Sequence, residues 1–119
     1  MAGGDHILLV MTTVPDGAVA AMIARTLVER RLAACVSVQS PCVSAYRWQG
    51  RVEQSQEIPL LIKTTVERYP ALEAALRDLH PHDVPEIIAL DVTQGLPAYL
   101  KWVISETIDE DERKNDDDH

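Results

Sequence analysis

The stretch VSAYRWQGRVEQSQEIPLLIKT, residues 43–64, decides the fold because it predicts one long β-hairpin. Residues 43–48 form the first strand, in which every second side chain points to the same face. Gln49-Gly50 forms the turn, since glycine accepts the positive φ angle that tight hairpin turns need. The return strand runs over 51–64 and becomes increasingly apolar towards its end.

Working outward from the hairpin, β-branched apolar runs indicate further strands, and apolar residues three or four apart indicate helices. The other predicted strands lie at 7–14, 33–38 and 86–92, and Pro41 interrupts the chain between the second of these and the hairpin. The predicted helices are 16–32, capped by Asp16; a helix capped by Thr64 or Thr65 that reaches Leu79; and a helix from Pro97. This order predicts an α+β fold, namely a ferredoxin-like antiparallel sheet (βαββαβ) with helices on one face. The long central hairpin and the C-terminal helix are additions to that sheet.

Length and charge limit the class of protein. The 119 residues suffice for one domain, assigned to 1–108, and 109–119 is expected to be a flexible acidic tail. The formal net charge of −8 argues against nucleic acid or an anionic membrane as a partner. Apolar stretches are too short to span a bilayer, Met1–Asp5 does not resemble a signal peptide, and there are two cysteines. These features favour the cytoplasm.

The outer part of the hairpin predicts self-association. Tyr46 and Trp48 share one face of a ribbon that is longer than a small sheet requires. An exposed aromatic ribbon of this kind calls for a partner that covers it. The expected partner is another copy of the chain.

Four segments, spread over about residues 7–107, carry a family resemblance. They are LVERRLAACV at 27–36; YRWQG at 46–50 with Glu53, Glu57 and Ile62-Lys63-Thr64; HPHDVPEI at 80–87; and Gly95 with Tyr99, Leu100 and Trp102. In this order they resemble the CutA divalent-cation tolerance proteins. The resemblance implies a homotrimer with strand edges joined between subunits, and clefts at the subunit boundaries comparable to those of PII signalling proteins. It also implies a part in tolerance of copper and other divalent metal ions.

The proline-flanked loop holds the densest group of metal-capable side chains: His80, His82, Asp83 and Glu86. Imidazole and carboxylate donors suit Cu2+ or Zn2+. The other interpretation is a polar turn in which His80 bonds a backbone carbonyl. Relative to family members credited with copper binding, Thr12 replaces a cysteine and Leu79 replaces a histidine, so that only His80 and Glu86 match. The lost thiolate predicts a weaker site for divalent ions.

A second candidate site is the cleft between subunits, by the same resemblance. Its residues are Tyr46, Trp48, Glu57, Lys63, Tyr99 and Trp102. The alternative for the aromatic residues is packing within the assembly. Lys63 interrupts an apolar strand and therefore needs a partner, either Glu57 or an anionic ligand. Cys35 is expected to be a small buried packing residue.

Two functions remain open, and neither is enzymatic. The first is a homotrimer that binds copper or another divalent ion and contributes to the response to metal ions. The second is a PII-like trimer that takes a small anionic ligand in its clefts. An acylphosphatase is disfavoured because Gln49-Gly50-Arg51 lies in a hairpin, and a metallochaperone because no C-x-x-C motif follows the first strand.

Overall fold

The computed structural model describes residues 6–108, so the predicted acidic tail lies outside the described residues. Five strands and three helices follow one another along this part of the chain. They are β1 (Ile7–Val14), α1 (Gly17–Glu29), β2 (Cys35–Val38), β3 (Cys42–Trp48), β4 (Arg51–Thr65), α2 (Tyr69–Leu79), β5 (Ile88–Val92) and α3 (Pro97–Glu106). The α+β prediction and the element order are confirmed.

All neighbouring strands are antiparallel, in the order β2-β4-β1-β5. β3 pairs with the outer half of β4, beyond β2. β2 and β3 therefore act as one strand that breaks around Pro41, which has no N–H to donate to the ladder. The outer hairpin extends as a two-stranded ribbon, and the molecule measures 57 × 27 × 23 Å.

The main core lies between α1, α2 and one face of the sheet. Alternate residues of β1 and of the inner half of β4 point into it, because a strand has a two-residue period. Its fully buried members include Val10, Ile23, Leu27, Ile62 and Leu76. The two helices thus cover one face of the sheet, as predicted.

Helix α3 covers part of the opposite face. Val103 packs with Ile7 and Ala34 in a second, smaller cluster. Ile7 alternates with the core residue Leu8 along β1, so the two clusters lie on opposite sides of the sheet. The rest of this face carries an exposed apolar surface that includes Ile88 and Leu90.

Several element boundaries differ from the predictions; β2, for example, begins at Cys35 rather than 33. α1 ends at Glu29 rather than 32, because Arg31 takes a left-handed φ of 58° and the Leu32 N–H returns to the Leu27 carbonyl at 2.9 Å. β4 continues through Thr65, which accepts from the Arg68 N–H at 3.3 Å, so that α2 begins only at Tyr69. β5 begins at Ile88, where pairing with β1 begins, and not at Glu86. The predicted cap of α1 is confirmed, since Asp16 Oδ1 accepts from the Val19 N–H at 2.9 Å. The cap predicted for α2 at Thr64 or Thr65 is wrong, because Arg68 occupies the N-cap position.

Candidate functional site

His80 is the centre of the loop that joins α2 to β5. Its side chain is buried, and its Nε2 atom lies 2.7 Å from the carbonyl oxygen of Thr13 at the end of β1. Its Nδ1 atom accepts from the backbone N–H of His82 at 3.1 Å. Of the two interpretations of the loop, a metal site or a polar turn, the His80 ring fits the polar turn, in which it bonds a backbone carbonyl.

The other three candidate ligands are exposed. His82, Asp83 and Glu86 lie on the surface of the loop, and the rings of His80 and His82 are 4.9 Å apart at 51°. Within residues 6–108, no three His, Cys, Asp or Glu side chains form a group that could hold a metal ion. A cavity of about 440 Å³ lies beside His80, His82 and Asp83, and Arg77 also lines it. The lining also carries the carboxylates of Asp78 and Asp83 beside the guanidinium of Arg77, so it has charges of both signs.

Thr12 and Leu79 occupy the two positions where the resemblance places additional copper ligands. Thr12 is fully buried on the core face of β1, and its hydroxyl has no hydrogen-bond partner within the described chain. Leu79 is half-buried and packs against the main core. The donors that are present do not fit a preformed metal site within one chain.

The ribbon presents three of the six predicted cleft residues on one face. Tyr46 lies opposite Glu53, Trp48 opposite Arg51, and Glu57 opposite Cys42. Tyr46 is 42% exposed and Trp48 52% exposed. They form an aromatic surface that nothing in the described chain covers.

Lys63 lies on the sheet face opposite the main core. It is paired in register with Cys35, and its Nζ atom donates to Ser37 Oγ at 3.1 Å. Of the two partners considered for Lys63, Glu57 of the same chain lies out of reach, because six residues of extended strand separate the two by roughly 20 Å. Ser37, a neighbour across the strands, supplies the partner instead.

Tyr99 and Trp102 project from α3 towards this part of the sheet. Their ring centroids are 5.6 Å apart, and the Tyr99 hydroxyl lies 3.7 Å from Cys35 Sγ. The hydrogen bond with Cys35, assisted by partial burial and the charge of the thiolate, raises the pKa of Tyr99 above its ordinary value. Cys35 is half-buried rather than a core residue, and sequence periodicity carried no signal of this contact.

The six cleft residues do not meet within one chain. Trp48, at the tip of the ribbon, is opposite Arg51, and twelve residues of strand separate Arg51 from Lys63. That is roughly 40 Å at the usual rise of a strand. A cleft that contains both groups therefore requires a second copy.

Sequence reasoning did not single out Arg31, which lies near Trp102. A cavity of about 410 Å³ is lined by both residues and by Glu29 and Glu106. Arg31 Nη1 lies 3.3 Å from the Glu106 carbonyl oxygen and 3.6 Å from its carboxylate. Arg31 has a positive φ angle, which the pattern of the sequence did not predict.

Comparison with known proteins gives a consistent result. A family model described as CutA1 divalent ion tolerance protein matches residues 8–106. The divalent-cation tolerance protein CutA of Thermus thermophilus is 48% identical over 99 residues, 83% of this chain and 96% of that protein. A CutA homolog of Xenopus laevis is 48% identical over 91 residues, 76% of this chain but only 60% of that longer protein. A solved structure of the Thermus thermophilus protein gives a TM-score of 0.84 at 46% identity, covering 86% of this chain and 99% of the other.

The comparisons do not decide the compartment. A solved relative from Archaeoglobus fulgidus is described as periplasmic; it is 28% identical, with a TM-score of 0.83, over 86% of this chain and 99% of its own. Within residues 6–108, no helix has the length and apolar character needed to cross a bilayer. The cytoplasmic location therefore stays a prediction.

The family model spans both faces of the sheet, the ribbon, the His80 loop and all of α3. Identity near one half extends over most of the chain, and the solved structure shares its fold. The chain therefore belongs to the CutA1 divalent ion tolerance protein family.

Proposed function

We propose that this chain is the protomer of a homotrimeric divalent-cation tolerance protein, non-catalytic and cytoplasmic, that contributes to the response to metal ions. The observation that carries the proposal is the large apolar surface left uncovered on the single chain. It consists of two parts, the open sheet face and the ribbon.

The open sheet face is the side of the sheet opposite the main core, beside α3. Its apolar members are Leu9, Met11, Leu61, Ile88 and Leu90. They form cross-strand rows, since Leu90 pairs with Leu9 and Ile88 with Met11. Leu90 is 51% exposed and Ile88 49% exposed. A contiguous apolar patch of this kind is typical of a subunit interface.

The ribbon adds exposed apolar surface on both of its faces. Val43 is 71% exposed and Val52 69% exposed, on the face opposite Tyr46 and Trp48. An isolated two-stranded ribbon is at best marginally stable in water, so a covering partner would stabilise it. A second copy offers a matching apolar surface.

The free strand edges favour a closed ring. Within the described sheet, β2 and β3 leave one edge unpaired and β5 leaves the other. Two different edges on one chain permit head-to-tail contacts, which close when the rotation between copies suits a ring. We take the number of copies, three, from the resemblance to the CutA proteins.

We further propose that divalent ions such as Cu2+ or Zn2+ meet this trimer at the exposed donors of the 80–86 loop. His82, Asp83 and Glu86 are accessible there. Exposed donors that are not preorganised bind weakly, because the loop must be ordered around the ion. The PII-like alternative is not favoured, since Lys63 already bonds Ser37 and the family is one of cation tolerance.

Light scattering after size-exclusion chromatography tests the assembly. We expect a particle of three times the 13.2 kDa chain mass at micromolar concentration. Leu90→Glu, on the open sheet face, should lower this mass, whereas Met22→Glu, 41% exposed on α1, should not. A monomeric wild-type protein would refute the trimer.

Calorimetric titration with Cu2+ and Zn2+ tests metal binding. His82→Ala should weaken the binding several-fold, and His6→Ala, at the start of β1, serves as the histidine control. Equal heats for wild type and His82→Ala would exclude His82 as a ligand, and equal heats for a variant that lacks His82, Asp83 and Glu86 together would exclude the loop as the site.

A further inference from the structure

We infer that His80 is a positioning residue that ties the loop to the end of β1 and is not itself a metal ligand in this chain. The part of the inference that concerns metal ligands rests on the proposed function, since it says which donors of the loop an ion contacts. The positioning role of His80 does not depend on it. It departs from the expectation that His80 leads the metal-binding set.

The two hydrogen bonds of the ring assign its tautomer. A neutral imidazole has one N–H donor and one lone-pair acceptor. The Thr13 carbonyl can only accept, so the proton of His80 must be on Nε2. Nδ1 then carries the lone pair, which accepts from the His82 N–H. Both nitrogens are therefore engaged, and a metal ion could take Nδ1 only by breaking the bond to His82.

The sequence around His80 explains why these bonds form. Its backbone N–H caps α2 by donating to the Leu76 carbonyl at 2.9 Å, and its ψ of 138° turns the chain out of the helix. Pro81 has no N–H, so the first amide of the loop that needs an acceptor belongs to His82. His80 Nδ1 supplies that acceptor.

Burial makes this arrangement costly to disturb. His80 is only 6% exposed, and Thr13 is the residue directly before Val14 at the end of β1. Withdrawing the ring towards an ion would leave the Thr13 carbonyl without this donor. The exposed imidazole of His82 needs no such rearrangement, so the proposed ion meets His82 and leaves His80 in place.

Nitrogen NMR of the protein labelled with 15N-histidine tests the inference directly. The four histidines of the chain are assigned by single His→Gln variants. Near neutral pH, we expect His80 as the Nε2–H tautomer, unchanged on addition of diamagnetic Zn2+, while the His82 nitrogens shift. An Nδ1–H tautomer, or a zinc-induced shift at a His80 nitrogen, would overturn the inference.

Conservative replacement supplies a second readout. Glutamine carries both a donor and an acceptor, so His80→Gln should recover part of the melting temperature lost in His80→Ala and keep the Zn2+ affinity within twofold of wild type. A several-fold loss of Zn2+ affinity in a folded His80→Gln protein would contradict a positioning role. A wild-type protein that takes up no Zn2+ would overturn the proposed metal binding, and the His80 tautomer would still decide the inference.

Discussion

The Sγ atom of Cys35 lies 3.7 Å from the hydroxyl oxygen of Tyr99, and this contact joins strand β2 to helix α3. The two residues are 64 positions apart in the chain. Together with Val103 packed on Ile7, the contact holds α3 on the sheet face that α1 and α2 leave open. Helix α3 therefore borders the open sheet face.

The first prediction concerns the pKa of Tyr99. The hydrogen bond with Cys35, partial burial and the thiolate charge all raise it. Cys35→Ala should therefore lower the Tyr99 pKa, which is measured from the absorbance change as the phenol ionises. The part of the absorbance change that is lost in Tyr99→Phe belongs to Tyr99. Cys42→Ala, the other free cysteine, should leave it unchanged. An identical titration in Cys35→Ala would contradict the contact.

The same shift predicts a dependence of stability on pH. A pKa raised in the folded state favours the protonated phenol there, so its contribution is complete below the unfolded value of about 10. It disappears as the pH rises through the folded pKa. Urea denaturation across this range should show wild type losing more stability than Tyr99→Phe.

The second prediction concerns two buried threonines on the core face of neighbouring strands. Within residues 6–108, Thr12 Oγ1 has no hydrogen-bond partner, whereas Thr64 Oγ1 donates to the Leu32 carbonyl at 2.7 Å. Because valine has nearly the same shape as threonine, Thr12→Val should raise the free energy of unfolding by about 1 kcal/mol. Thr64→Val should lower it by about 1–3 kcal/mol. Urea denaturation measures both, and a loss of stability in Thr12→Val would reveal an unrecognised partner.

The third prediction concerns the turn of the ribbon. Gln49 and Gly50 have φ angles of 50° and 79°, as a two-residue hairpin turn with both central residues left-handed requires. A Cβ atom at Gly50 would meet nothing within 4 Å, so Gly50→Ala should cost only backbone strain, about 1–2 kcal/mol. Gln49→Asn should be neutral or stabilising, since asparagine tolerates this conformation. Thermal denaturation gives both values; equal stability of Gly50→Ala and wild type would mean that the turn rearranges.

The fourth prediction tests the ribbon as an interface and rests on the proposed trimer. The chain has two tryptophans, so Trp102→Phe isolates the fluorescence of Trp48. Assembly should bury Trp48 and shift its emission to shorter wavelength, and Leu90→Glu in the same background should restore the emission of an exposed indole. If the trimeric protein emits like an exposed tryptophan, the Trp48 end of the ribbon lies outside the interface.

Local pattern accounts for the part of the fold that was predicted. The alternation of apolar and polar residues in β4 and the four-residue spacing of apolar residues in α1 indicate which face of each element is buried. Such a pattern can be recognised within a short segment of sequence. Asp16 was found as a cap for the same reason, since its partner Val19 is three residues away. The predicted ends of the helices and strands were less accurate. The turn at Arg31, for example, ends a helix although neither proline nor glycine occupies that position.

For the candidate site, the sequence predicted which residues take part but not how their side chains are arranged. The sequence alone determined the order of strands and helices, the ribbon and its turn, and the concentration of donors between His80 and Glu86. Tertiary structure alone decided that both nitrogens of His80 are engaged, that Thr12 is buried without a partner in the described part of the chain, and that Cys35 meets Tyr99. The His80 bond to Thr13 spans 67 positions, so it depends on the path of the whole chain. Periodicity shows which face of an element is buried, but only the packed sheet and helices determine which atoms meet there.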